Sequence, residues 1–189
     1  MQEIKQNPSA KGATLKHRKV KEIACNSRRL VEVPYNATVT HTMHALVANH
    51  VSAVPVAAPP GQWIGAGGSM IIESDKLTGV PRKQYIGMVT MLDILAHIAG
   101  SDDGTSEPTD KMSVQTASII GHCPESLSLW TLNPNTSVLD CMEVFSKGVH
   151  RALVPCESSR SDSAVGAELS ESASSYSMLT QMDLVRFLM

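Results

Sequence analysis

Two stretches of the chain place a threonine three residues before an aspartate, where an apolar run gives way to a helical pattern: Thr90 with Asp93, and Thr180 with Asp183. Thr-x-x-Asp has a plain structural use, because it resembles a capping box. The hydroxyl accepts from a first-turn N–H, and the carboxylate favours the positive end of the helix. The same pair can also hold a ligand. An ionised carboxylate is acceptor-only and can take both hydroxyls of a ribose diol, while the threonine hydroxyl and the first-turn N–H groups face a phosphate. One occurrence proves nothing; two, each following a strand in the same order, point to a shared site.

Other chemistry is poorly supported. Gly65, Ala66, Gly67 and Gly68 lack the Lys-Ser/Thr of a phosphate-binding loop and the strand-to-helix context of a dinucleotide fingerprint, so they read as a flexible loop. His41 and His44 share a helical face but have no third ligand at metal spacing, and they read as surface or half-buried histidines. No Gly-x-Ser-x-Gly elbow occurs, and nothing pairs a nucleophile with a base, so the chain reads as a non-enzyme without a cofactor. Cys25, Cys123, Cys141 and Cys156 never form C-x-x-C, and the default for each is a buried thiol; Cys25, near Arg28 and Arg29, is the one with neighbouring cations that would favour a redox role.

The elements that position the two Thr-Asp pairs are repeated. The run from Gly87 through Met88, Thr90 and Asp93 recurs 90 residues later as Ser177, Met178, Thr180 and Asp183. Upstream, Thr38-Val39 and the apolar-periodic stretch to Val56 are echoed by Ser137-Val138 and the stretch to Val154, at an offset of 98 to 99. Each copy reads as β-α-β-β-α, an α+β pattern. Helices are predicted over residues 39–49 (Met43, Leu46 and Val47 on one face), 91–99, 138–147 (Cys141, Val144 and Phe145 on one face) and 181–189. Strands are predicted over 85–89 and 176–179, with an additional strand over 69–73. The boundaries read as a basic arm at 1–18, a first repeat at 19–100, a linker at 101–110 and a second repeat at 111–189. Nine serines within residues 158–177 mark a solvated loop in the second copy.

Composition sets outer limits. The chain has 189 residues, 42% of them hydrophobic, and a net charge of -2, which argues against a wholly disordered chain and gives no overall reason to expect nucleic-acid binding. Residues 1–29 balance at +6, but no aromatic residues are interleaved there. Prolines and histidines interrupt the uncharged stretch 33–72 before a membrane span builds up, and the N-terminus lacks an apolar leader, so no membrane partner is expected and the location reads as cytoplasmic, nuclear or both.

This arrangement resembles the cystathionine-β-synthase (CBS) domain, and the similarity covers residues 19–189. It implies two repeats forming a pseudo-twofold Bateman module that binds adenine nucleotides between its copies. Thr90, Asp93, Thr180 and Asp183 are then phosphate and ribose contacts. Val149-His150-Arg151 looks like the Ile-His-Arg motif of gamma-type subunits of AMP-activated and sucrose-non-fermenting kinases, which makes His150 and Arg151 phosphate contacts; Ser52 and Ala53 depart from it in the first copy. Residues 57–70, with Trp63, and 127–136, with Trp130, are similar to plant gamma-like subunits of the sucrose-non-fermenting-related kinase. The resemblance implies a non-catalytic regulatory subunit that senses AMP, ADP or ATP and has catalytic and beta-type kinase subunits, or a homodimer, as partners. Such subunits carry four CBS copies and this chain two, so it resembles an N-terminal half, a fragment or a shortened form. The alternative from a different class is a ligand-independent scaffold.

Overall fold

A computed structural model describes residues 15–25, 29–61, 70–74, 78–100, 108–126, 128–156 and 175–189. The glycine-rich loop at 65–68, most of the serine-rich stretch, most of the basic arm and most of the linker lie outside these residues. No helix among the described residues is long and apolar enough to cross a membrane.

The chain forms two compact units, one of residues 31–129 and the other of residues 1–30 with 130–189. In the first, β1 (Val33–Pro34), β2 (Ala53–Ala58), β3 (Ile71–Ser74) and β4 (Pro81–Thr90) make one sheet in the order β1-β2-β4-β3. β1 runs parallel to β2, and the other two pairings are antiparallel. Thr38 caps α1 (Val39–Ala48), its side chain accepting from the His41 N–H at 3.2 Å. This helix buries Val39, Thr42 and Leu46 against the sheet. The stripe is turned from the expected one: Met43 is only partly covered, and Val47 stays 59% exposed. β4 runs directly into α2 (Met91–Ala99), with Thr90 as the junction.

The extra strand β3 sits at Ile71–Ser74, close to its predicted position, and is pinned to the sheet by charge. The Lys83 ammonium donates to Glu32 at 2.6 Å and lies 3.7 Å from the buried Glu73. The fully buried Tyr85 hydroxyl is 2.6 Å from Glu32 and 3.1 Å from Glu73. A phenol has one proton, so it serves one carboxylate at a time, and the ammonium shares the charge of both.

The second unit repeats this plan with a smaller sheet. β5 (Arg151–Pro155) pairs antiparallel with β6 (Tyr176–Thr180), and Thr131 bridges Leu153 in parallel where β1 stood in the first unit. After the short α3 (Pro108–Met112), Ser137 caps α4 (Val138–Ser146) through the Asp140 N–H at 3.0 Å, and β6 leads into α5 (Gln181–Leu188). Cys141 and Phe145 are buried as expected, with Val144 packed at the margin. Burial pushes the Cys141 thiol up to about 11.

The compact units do not follow the boundaries read from sequence, because each unit is closed by the segment that leads into the other copy. Residues 20–24 form a five-residue helix, α0 (Val20–Ala24), too short to stand alone in water. Val20 and Ala24 are fully buried in the core of the second unit with Val138, Leu179 and Leu184. Its backbone is tied there by Val20 N–H to Thr136 O and by Val138 N–H to Arg18 O, each 2.9 Å. The Arg18 guanidinium also stacks 4.9 Å from the Phe187 ring centroid. The first unit receives the equivalent segment ahead of the second copy: Val39 N–H donates to Val114 O at 2.9 Å and Thr116 N–H to Ala37 O at 2.7 Å. The 3-10 turn Thr116–Ile119 then buries Ile119 and Ile120 in the first core.

The strand position facing these segments is adapted to each. A Cβ on Gly87 would lie 2.5 Å from Ile120 Cγ2, so only glycine lets the two chains approach this closely. Its repeat partner Ser177 is buried and donates instead to Ala24 O at 2.8 Å. The same exchange overturns the expectation of four separate thiols. Cys25, following α0, meets Cys156, following β5, in a disulfide with Cα atoms 5.5 Å apart across 131 residues of sequence. Docking of α0 onto the second unit creates that proximity, and sequence spacing could not reveal it. Opening a loop of this length restores chain entropy to the unfolded state. Cys25→Ser should lower the unfolding stability by about 3–5 kcal/mol in urea titrations and abolish the response to dithiothreitol; equal midpoints of the unmodified chain with and without reductant would contradict the tether.

Candidate functional site

Both Thr-Asp pairs form full capping boxes, for the same local reason. In the first, the Asp93 N–H donates to Thr90 Oγ1 at 3.2 Å, while Thr90 N–H and Oγ1 donate to Asp93 Oδ2 at 2.7 and 2.6 Å. In the second, the corresponding distances are 3.3, 2.9 and 2.6 Å between Thr180 and Asp183. Each carboxylate is thus held by one oxygen against its own helix start.

The other oxygen separates them. Asp93 is fully buried, and its Oδ1 accepts from the Cys123 N–H and from Ser126 Oγ, both at 2.8 Å. These donors lie at the 3-10 turn Pro124–Ser126, some thirty residues along the chain. The turn is itself knotted: Ser126 Oγ accepts from Gly121 N–H at 3.0 Å and also lies 2.7 Å from Cys123 O. Burial, with Asp93 next, raises the Cys123 thiol above its ordinary value. Asp183 is only partly buried, and no donor among the described residues reaches its Oδ1. Nothing in the sequence marks Cys123 or Ser126 as partners of Asp93, since neither belongs to a repeated motif.

The sheet register fixes the remaining candidates. Arg151 is paired directly opposite Thr180, as Ala53 is opposite Thr90. Directly opposed residues project to the same face, so Arg151 shares a face of the second sheet with Thr180, whose hydroxyl bonds the Asp183 carboxylate. The exposed His150 precedes β5, its carbonyl accepting from Gln181 N–H at 3.3 Å, and Ser52 O accepts from Met91 N–H at 3.1 Å in the same way. Ser52 and Ala53 therefore stand where His150 and Arg151 do, and the first unit lacks that cation. His41 and His44 are both exposed on α1. Among the described residues, no group of three or more His, Cys, Asp or Glu side chains could hold a metal ion.

Two β-α-β-β-α units, each with a helix capped by Thr-x-x-Asp after its last strand, have the fold of CBS-domain proteins. The chain aligns over 96% of its length with the CBS domain of a CBS-domain-containing membrane protein from Sphaerobacter thermophilus, covering 94% of that chain at a TM-score of 0.55 and 15% identity. The CBS domain of a bacterial CNNM/CorC-family magnesium transporter in complex with ATP matches over 94% of this chain and 92% of its own, at a TM-score of 0.52 and 15% identity. No family model matches the sequence. Curated relatives give the particular likeness: the chain is 70% identical over 170 residues to the SNF1-related protein kinase regulatory subunit gamma-like PV42a of Arabidopsis thaliana, and 63% identical over 169 residues to PV42b. Each match takes in 89% of this chain but only 48% and 47% of the relative, so the chain spans about half the length of the curated relatives it matches. The chain thus has the CBS-domain fold and is similar in sequence to the gamma-like regulatory subunits of SNF1-related kinase.

The unequal surroundings of the two aspartates have a measurable consequence without any ligand. Asp93→Asn sets an amide against two pairs of donors in a dry site and should lower stability by roughly 2–4 kcal/mol. Asp183→Asn disturbs one half-exposed cap and should cost about 1 kcal/mol. Equal losses in parallel denaturant titrations would show that the two carboxylates are equivalent after all.

Proposed function

We propose that the chain is a non-catalytic regulatory module of the SNF1-related kinase gamma-like kind, which binds an adenine nucleotide through Thr180, Asp183, His150 and Arg151. One observation carries this reading: in the second unit, an aspartate whose Oδ1 meets no donor among the described residues caps the threonine that stands directly opposite an arginine. Asp183 Oδ1 can accept from a ribose diol. The Arg151 guanidinium can grip a phosphate through two parallel hydrogen bonds. The ATP bound to the CNNM/CorC CBS domain supports the same ligand class, and the names of the gamma-like relatives support the regulatory role. Thr90 and Asp93 are the matching pair in the first unit.

Partner binding belongs to the same proposal. Leu92 and Leu95 on α2, and Met182, Val185 and Leu188 on α5, are between 46% and 58% exposed. Apolar side chains recurring at helical spacing on exposed faces fit contact with the catalytic and beta-type kinase subunits or with a second copy of this chain. Light scattering should detect self-association that weakens in a Leu95→Lys, Val185→Lys variant. A monomer at every concentration would leave the kinase subunits as the only proposed occupants.

Titration calorimetry with AMP, ADP and ATP tests the ligand. Asp183→Ala should weaken nucleotide binding by roughly 1.5–3 kcal/mol through loss of charge-assisted hydrogen bonds. Arg151→Gln should weaken AMP while leaving adenosine nearly unaffected, because adenosine brings no phosphate. A folded chain that releases no binding heat with any of the three would favour the ligand-independent scaffold instead.

A further inference from the structure

A carboxylate that serves a diol does so by accepting two hydrogen bonds from neighbouring donors. Asp93 Oδ1 already accepts two, from the Cys123 N–H and Ser126 Oγ at 2.8 Å each, and the remaining oxygen is consumed by the Thr90 cap. The Ser126 proton can reach either Asp93 Oδ1 or Cys123 O, and an ionised carboxylate is the stronger acceptor. With Gly121 N–H donating to the same hydroxyl, the turn forms a closed polar cluster over a fully buried carboxylate.

The turn is also anchored by packing rather than by these contacts alone. Residues just ahead of it enter the first core through Ile119 and Ile120, and Ile120 lies against Gly87, three residues before Thr90. A bulkier residue at position 87 would push Ile120 away; glycine allows the segment to settle.

We infer that the turn at residues 123–126 is a built-in occupant of Asp93, supplying from within the chain the pair of donors that a ligand diol would otherwise supply. The inference rests on the reading that the second Thr-Asp pair is a nucleotide contact. It makes Ser126 and the Cys123 amide specificity-determining groups: they close the first repeat to a diol and leave ligand recognition to the second. The absence of an arginine opposite Thr90, where Ala53 stands, agrees with this division, because a phosphate there would lack the partner that Arg151 offers in the second unit. A diol enters the first repeat only if the turn withdraws, which exposes one carboxylate oxygen and frees one hydroxyl and one amide.

Two measurements on the full chain test this. Hydrogen exchange reads the lock directly and needs no ligand. The Cys123 amide should exchange as slowly as the β4 amides, and Ser126→Ala should speed it about tenfold while β2 exchange stays within threefold. Asp93→Asn should speed it further, and Ser126→Ala keeps the test valid if that variant fails to fold. Fast exchange at Cys123 in the unmodified chain, or no response to Ser126→Ala, overturns the inference. Calorimetry with AMP should give one site per chain, weakened in Asp183→Ala. Two sites per chain, or a site whose affinity is unchanged in Asp183→Ala but lost in a folded Asp93→Asn variant, overturns it as well. If the unmodified chain binds no AMP, the nucleotide reading of the second repeat fails, and the exchange data alone decide whether the turn occupies Asp93.

Discussion

Neither small sheet can close its own core, and the rest of the structure follows from how that is solved. A two-stranded sheet such as β5–β6 is at best marginal in water. Its two helices cover part of it, and the remaining gap is filled by Val20 and Ala24 from the far end of the chain. The first unit is completed by Ile119 and Ile120 in the same role. Truncating a fully buried isoleucine such as Ile119 costs about 2–5 kcal/mol, a large share of the stability of an ordinary domain. The lead-in segments are therefore parts of the cores rather than connectors. Gly87 and Ser177 show the adaptation at one repeated position, one by giving way to Ile120 and the other by bonding Ala24 O.

This exchange also explains why two identical local motifs end in different environments. The capping boxes at Thr90 and Thr180 agree within a few tenths of an ångström, because four residues and a helix start determine them. What reaches the outer carboxylate oxygen depends on the segment that packs beside it. Beside Asp93 that segment continues into a turn whose Cys123 N–H and Ser126 hydroxyl both bond to that oxygen. Motif identity thus fixes the cap but leaves open whether the carboxylate is available to a ligand.

The β-α-β-β-α order was legible in the sequence because it depends on periodicity and local caps, and because the second copy independently repeats the first. Helices 91–99 and 138–146 fall within a residue of expectation, and Thr90, Asp93, Thr180 and Asp183 stand at the expected helix starts. That Arg151 stands directly opposite Thr180 comes from the sheet register and not from the motif. Three features had no local signal. The buried stripe of α1 turned towards Val39, Thr42 and Leu46, because tertiary contact with Thr116 selects the face. The disulfide Cys25–Cys156 and the contacts of Asp93 with Cys123 and Ser126 join residues far apart in sequence, and both are consequences of segment exchange. A linear reading that assigns each lead-in to the repeat it precedes has no means of finding them.

Hydrogen exchange followed by mass spectrometry on the intact, disulfide-bonded chain tests the exchange of lead-in segments most directly. Leu179→Ala weakens the core of the second unit at a fully buried position. The account requires exchange to accelerate together in residues 20–24, 138–146 and 151–155, with residues 116–119 and 53–58 unchanged. Acceleration in 116–119 while 20–24 stays protected would mean that each lead-in belongs to its own repeat, and would contradict the account.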